Sequence, residues 1–275
     1  MSIAKINDVK INYQTFGDGI PLLLISGMGI DYRTWMYQIP FFEKYFKVIA
    51  FDNRGIGKST DVQGLYGIEM MADDAAGLLK HLKISKAHIV GSSMGGMIAQ
   101  ELAIKHPKLV DKLVLCSTSA SPHNNIKHVF VDGIQDVMGR KKVEEILELD
   151  YNRPILKKVF NHLVQQLYSE RFIVENKKFI EETIREFASN TLYLETLFKQ
   201  LHAVRSHNTV DRLLNIKSET LIITGTNDSL LPVECSELLT EKIPKSKLVK
   251  IENALHGFHL EKADEFNEIV LEFLS

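Results

Sequence analysis

Residues 87–105 read Ala-His-Ile-Val-Gly-Ser-Ser-Met-Gly-Gly-Met-Ile-Ala-Gln-Glu-Leu-Ala-Ile-Lys. The run His88–Val90 is apolar, too short for a helix and long enough for a strand buried on both faces. From Met94 onward the stretch reads as a helix. Between them lies Gly91-Ser92-Ser93-Met94-Gly95, a G-x-S-x-G sequence. Composition alone produces that pattern in on the order of one chain in ten, so its weight comes from its place between strand and helix. A serine hydroxyl is a poor nucleophile and must stand on a tight turn where a base can reach it. Gly91 and Gly95 remove the Cβ atoms that would collide across such a turn. The helix opening at Met94 also presents unpaired N–H groups where negative charge would develop. The competing reading is a plain Gly-rich strand-to-helix turn, which the rest of the chain outweighs.

Outward from this elbow, short apolar runs recur at Leu22–Ile25, Val48–Phe51, Leu113–Cys116, Leu221–Thr224 and Leu248–Ile251. Ile3–Ile6 and Val9–Phe16, joined by Asn7-Asp8, alternate in part and predict an antiparallel hairpin at one sheet edge. Gly67–Leu82 and Ala263–Leu274 carry apolar stripes at helical spacing. Strand and helix alternate, which predicts an α/β architecture with a mostly parallel sheet flanked by helices. From Ser121 to His207 the alternation stops. That span offers helical stretches such as Ile155–Leu167 and Thr191–Val204 but no convincing strand. The expected organisation is a core of residues 1–120 and 208–275, with residues 121–207 a helical cap at the carboxyl ends of the strands.

A serine nucleophile needs a base, and the base needs a group to orient it. Leu221–Thr224 runs into Gly225-Thr226-Asn227-Asp228-Ser229, and Leu248–Ile251 runs into Glu252-Asn253-Ala254-Leu255-His256. Asp228 and His256 therefore fall on loops leaving two successive strands. Each alone reads as an ordinary loop residue. Together with Ser93 they form a nucleophile–acid–base order in which every member follows its own strand.

At these residues the chain resembles the α/β-hydrolase superfamily. Asp52-Asn53-Arg54-Gly55-Ile56-Gly57-Lys58-Ser59 is similar to its D-x-R-G-x-G-x-S segment, and the block from His256 to Asn267 is similar to its H-F-P-H-L-E-x-P-E-E-F block. The resemblance implies the α/β-hydrolase fold with a helical cap. It implies Ser93 as nucleophile, His256 as base, Asp228 as orienting acid, and the backbone N–H groups of Met28 and Met94 as oxyanion donors. His259, three residues on, is the rival histidine, to which the family pattern assigns a structural part. Leu255 stands where a glycine commonly precedes the histidine, and Ser26 stands where the family usually shows histidine before Gly27. Serine at position 93 is unlike haloalkane dehalogenases and epoxide hydrolases, which place aspartate there. The Pro-containing loop of proline iminopeptidases is missing, and no Trp follows His256 as in carbon–carbon bond hydrolases.

Other chemistries find less support. With 33 Lys+Arg against 35 Asp+Glu, there is no basic excess for a nucleic-acid partner. Charges at Lys5, Asp8 and Lys10 interrupt any signal-peptide core, and no apolar run reaches membrane-spanning length. The expectation is a cytoplasmic protein without a membrane partner. Cys116 and Cys235 sit in or beside apolar stretches and read as buried thiols of a reducing compartment. Gly57-Lys58-Ser59 mimics the end of a Walker A loop, but the first glycine of that loop would fall on Asp52. No H-E-x-x-H pair occurs, and His256 with His259 lacks a third ligand nearby, so neither metal nor other cofactor is expected.

The expected activity is hydrolysis of a carboxylic ester, thioester or lactone of a small to medium, mostly apolar substrate through an acyl-enzyme. The alternatives are a carbon–carbon bond hydrolase of the same fold and a non-catalytic ligand receptor. Leu230, Leu231 and Phe258, beside Met28 and Met94, are candidate pocket residues, each readable equally as core. Phe160 and Leu197 are candidates for selectivity from the cap. The oligomeric state is left open.

Overall fold

The computed structural model describes residues 2–122, 163–188 and 191–275. Eight strands form one sheet: β1 (Ser2–Ile6), β2 (Val9–Phe16), β3 (Ile20–Ile25), β4 (Phe46–Phe51), β5 (Ala87–Ser92), β6 (Val110–Cys116), β7 (Glu219–Gly225) and β8 (Ser246–Ile251). Their spatial order is β1-β2-β4-β3-β5-β6-β7-β8. β1 pairs antiparallel with β2 through Ile6↔Val9, and β2 pairs antiparallel with β4. From β4 to β8 every pairing is parallel. The expected hairpin is present, and Asn7 at its turn adopts φ 50, a left-handed conformation that asparagine tolerates better than most residues.

The inner stretches of the central strands, such as Leu22–Ile25 and Val48–Phe51, are apolar because both faces are covered. Leu23, Ile25 and Ile49 face one cluster, shared with Leu78 of α2 (Ile68–His81) and Ile98 of α3 (Met94–Lys105). Leu22, Leu24 and Val48 face the opposite cluster with Trp35, Phe42 and Phe266. This strict alternation along β3 follows from the two-residue period of a strand. Each fully buried Leu contributes about 1.5–3 kcal/mol relative to an exposed one.

The remaining helices are α1 (Ile39–Phe42), α4 (Glu170–Glu175), α5 (Lys177–Ala188), α6 (Thr191–Ser206), α7 (Val233–Lys242), α8 (Phe258–Glu261) and α9 (Ala263–Leu274). α2 and α9 lie where the apolar stripes place them, α2 with Gly67 and Leu82 as its caps. Among the described residues between β6 and β7 there is helix but no strand. Phe160 and most of Ile155–Leu167 lie outside the described residues. Both ends of the span between β6 and β7 are tied together: Thr209 N–H donates to the Ala120 carbonyl at 2.8 Å. Thr209 Oγ1 also donates to Gln100 Oε1, and Gln100 Nε2 donates to the Ser119 carbonyl. Among the described residues no helix is long and apolar enough to cross a membrane.

Candidate active site

The chain turns from β5 into α3 at Ser93, whose φ of 57° and ψ of −121° lie in a region that costs a non-glycine residue about 1–3 kcal/mol. Hydrogen bonds on its backbone hold it there. Ser93 N–H donates to the Cys116 carbonyl, while the Ser93 carbonyl accepts from Gly96 N–H and from Thr118 Oγ1. The turn is possible because of its glycines. A Cβ on Gly91 would overlap the Gly95 backbone, and one on Gly95 would overlap the Ile25 carbonyl. Those obstacles are main chain and cannot swing away. Gly95→Ala is therefore expected to lower stability by about 3 kcal/mol, read as a fall of roughly 6–12 °C in melting temperature by calorimetry. An unchanged melting temperature would mean that the elbow is looser than its geometry.

Asp228 leaves the end of β7 and His256 follows β8. His256 Nδ1 donates to Asp228 Oδ2 at 2.8 Å, and both side chains are buried. The other carboxylate oxygen, Oδ1, accepts the N–H groups of Leu230 and Leu231 at 3.0 and 2.9 Å. With both oxygens engaged, the carboxylate is fixed in rotation. The proton on Nδ1 leaves Nε2 as the nitrogen with a free lone pair. The elbow and the histidine loop share one support at the end of β6. Cys116 receives Ser93 N–H, and the next residue, Ser117, donates its hydroxyl to the His256 carbonyl at 3.0 Å.

The loop after β3 completes this end of the sheet. An added Cβ on Gly27 would lie 3.4 Å from Ser93 Cβ and 3.9 Å from Ser93 Oγ, so the 26–29 loop runs directly beside the elbow. Met28 follows Gly27 on that loop, and Met94 opens α3, where the N–H of the first residue has no partner within the helix. Asn53 Nδ2 donates to the Ser26 carbonyl at 3.0 Å. The Asp52–Ser59 segment is a brace behind the loop. Asp52 accepts from Asn12 Nδ2, Tyr32 N–H and Lys58 N–H. Arg54 is buried against Asp74 at 2.7 Å.

Of the apolar candidates, Leu230 is buried beside Asp228. Leu231 packs into the cluster under α2 and α3, and Phe258 packs into the opposite cluster, its ring centroid 5.9 Å from that of Phe266. The backbones of Leu230 and Leu231 hold Asp228, a function their apolar side chains could not reveal. Leu197 is half-buried on α6. Two features had no reading in the sequence. Gly257 N–H donates to the Leu167 carbonyl at 2.8 Å, and Gln200 of α6 reaches the 26–29 loop. The available signal was Thr196 and Gln200, four apart on one helix face, but nothing in the chain shows that this face is buried. Cys116 and Cys235 are buried and unpaired. Burial raises both thiols, Cys235 to about 11 with the charge of Asp228 adding to the effect. Among the described residues no group of three His, Cys, Asp or Glu is placed to hold a metal.

His259 differs from His256. It is buried, with Nε2 3.2 Å from Thr34 Oγ1 and its ring centroid 5.1 Å from that of Trp35. Burial, with a smaller contribution from His256, lowers its pKa to about 3. Burial, then the charge of Arg212, lowers that of His207 to about 4. Both imidazoles are neutral when folded and titrate near 6.5 when unfolded, so below pH 6.5 the unfolded chain takes up protons first. Stability present at neutral pH should therefore fall by about 2 kcal/mol per group at pH 5. Urea midpoints at pH 7.5 and 5.0 check this. The gap should narrow in His207→Gln, and an unchanged gap would refute the assignment to His207.

A family model for the alpha/beta hydrolase fold matches residues 20–263, and the chain belongs to that family. It is thereby placed among hydrolases. An Azorhizobium caulinodans protein, named provisionally as carbamate hydrolase RutD, is 29% identical over 273 residues, covering 99% of this chain and 98% of its own. 3-Oxoadipate enol-lactonase 2 of Acinetobacter baylyi is 27% identical over 265 residues, covering 96% of this chain and 92% of its own. A thermophilic esterase of Thermogutta terrifontis, solved with malate bound, superposes with a TM-score of 0.83 at 26% identity, over 100% of this chain and 98% of that one.

Proposed function

We propose that the protein is a serine hydrolase of carboxylic esters, lactones or thioesters. The observation that carries this reading is the Asp228–His256 hydrogen bond at 2.8 Å, at the sheet end where Ser93 occupies a strained elbow. In this mechanism Ser93 Oγ attacks the substrate carbonyl carbon as His256 Nε2 takes its proton. Asp228 holds the imidazole in the required tautomer and stabilises its cation. The N–H groups of Met28 and Met94 receive the oxyanion. The imidazolium then protonates the leaving alcohol, and an acyl-Ser93 ester remains. His256 next draws a proton from water, which attacks that ester, and the imidazolium returns the proton to Ser93 Oγ as the acid departs.

The residues next to the triad loops in the chain, Met28, Met94 and Leu230, are apolar, which favours an apolar acyl group over a strongly anionic one. The relatives named for enol-lactone, ester and carbamate chemistry are compatible with the same acyl-transfer centre. Residues 121–207 are assigned to a cap over this site, a division supported by the bond between Ala120 and Thr209 at its two ends. The test is turnover of a p-nitrophenyl ester series together with fluorophosphonate labelling read by peptide mass. The expected result is hydrolysis and a single adduct on the peptide carrying Ser93. Turnover without any adduct on that peptide would overturn the assignment, and absence of both would favour a ligand receptor.

A further inference from the structure

Helix α6 is fastened to the core by polar side chains. Lys199 Nζ donates to Asp61 Oδ2 at 2.8 Å and to the Val62 carbonyl at 2.7 Å, and Thr196 Oγ1 donates to the same Asp61 oxygen. Gln200 reaches further in and is fully buried. Its Oε1 accepts Gly29 N–H at 2.8 Å, and its Nε2 donates to the Arg54 carbonyl at 3.4 Å. A buried side-chain amide is costly unless both its ends are paired, so these two backbone groups explain why an amide is tolerated here.

Gly29 is the point at which the loop beside Ser93 could change conformation. Its φ is 71°, and without a Cβ it can rotate the preceding peptide at little cost. That peptide carries the Met28 carbonyl and Gly29 N–H on opposite sides, so fixing the N–H fixes the carbonyl. On the other side of Met28, the Ser26 carbonyl is held by Asn53 and Gly27 lies against Ser93. Met28 is thereby clamped between two hydrogen bonds, one from the core and one from α6.

We infer that Gln200 is a positioning residue for the oxyanion loop, acting through Gly29 to hold the Met28 N–H in line with Ser93. This rests on Met28 as an oxyanion donor, and it makes α6 part of the catalytic framework as well as of substrate access. A donor must be aimed at the developing charge before reaction to lower the barrier, so loss of the clamp acts on the transition state more than on substrate binding.

Gln200→Met keeps side-chain length and removes the amide. The expected result is a fall in kcat of about 10-fold to 100-fold with KM within about threefold. A trifluoromethyl ketone, which forms a charged tetrahedral adduct on the serine, should lose affinity by a similar factor. The matching secondary alcohol, which forms no adduct, should bind as before. Thr196→Val, which loosens the same helix without touching the loop, should leave the ratio of the two affinities unchanged. The inference is overturned if ketone and alcohol weaken together, if kcat is unchanged, or if Thr196→Val shifts the ratio equally. Amide exchange in the wild type tests it without any variant: Gly29 N–H must be protected, and exchange at the rate of a free amide overturns it. If the wild-type enzyme forms no adduct with the ketone, the serine mechanism itself fails. Adduct formation with an unaffected Gln200→Met variant removes only the clamp.

Discussion

Ser93→Ala is expected to abolish ester hydrolysis, with kcat/KM falling by about 10³-fold or more. The change deletes one oxygen and nothing that supports the turn. The elbow is held by Ser93 N–H on Cys116 and by the Ser93 carbonyl, both main-chain groups that alanine keeps. Alanine at φ 57° is strained as serine is, so the melting temperature should stay close to that of the wild type. A 10³-fold loss corresponds to about 4 kcal/mol of transition-state stabilisation. The residue before it provides the contrast. Ser92 ends β5 and is buried, so Ser92→Ala should retain turnover. The reverse pattern, with Ser93→Ala active and Ser92→Ala inactive, would place the nucleophile one residue earlier than proposed.

Asp228→Asn is expected to be nearly as damaging while leaving the fold intact. Asparagine keeps an oxygen for the Leu230 and Leu231 N–H groups, so the loop after β7 retains its hydrogen bonds. What changes is the partner of His256 Nδ1. An amide NH₂ facing that nitrogen makes Nδ1 an acceptor and moves the imidazole proton to Nε2, where the proposed mechanism needs a lone pair. The expected loss in kcat is about 10³-fold to 10⁴-fold, with KM little altered. Asp228→Ala should differ in kind, because it strands two buried N–H groups and an imidazole, and its melting temperature should fall as well. A variant Asp228→Asn within tenfold of wild-type kcat would remove Asp228 from the orienting role.

Much of this architecture was legible in the chain. The Asn7-Asp8 turn, the fully apolar runs of the central strands and the stripe of α9 are local patterns, and local sterics and burial set them without reference to distant residues. The elbow was legible for the same reason: strand, Gly91, Ser93, Gly95 and helix form one continuous segment. Even the Asp228–His256 pairing could be anticipated, since adjacent parallel strands deliver their following loops to the same sheet end.

Other features depend on contacts between segments far apart in sequence. The pocket candidates show why apolar character near a site is a weak guide. Leu231 and Phe258 pack into the two core clusters, and the backbone N–H of Leu231 holds Asp228. Asp52, Arg54 and Ser59 form a motif in the chain, but their work as a brace appears only when Asn12, Tyr32 and Asp74 are brought against them.

The sequence by itself determined the strand runs and the helices α2, α3, α6 and α9, and that a serine, an acid and a histidine each follow a strand. Those outcomes depend on residue periodicity and on backbone sterics within a few residues. Only the tertiary structure decided that β4 lies between β2 and β3, that Ser117 supports the histidine loop, and that Gln200 pins Gly29 across 171 residues of chain. A hydrogen bond of that span requires two backbones to be placed within a few tenths of an ångström. Packing of the whole core sets that placement, and no local pattern encodes it.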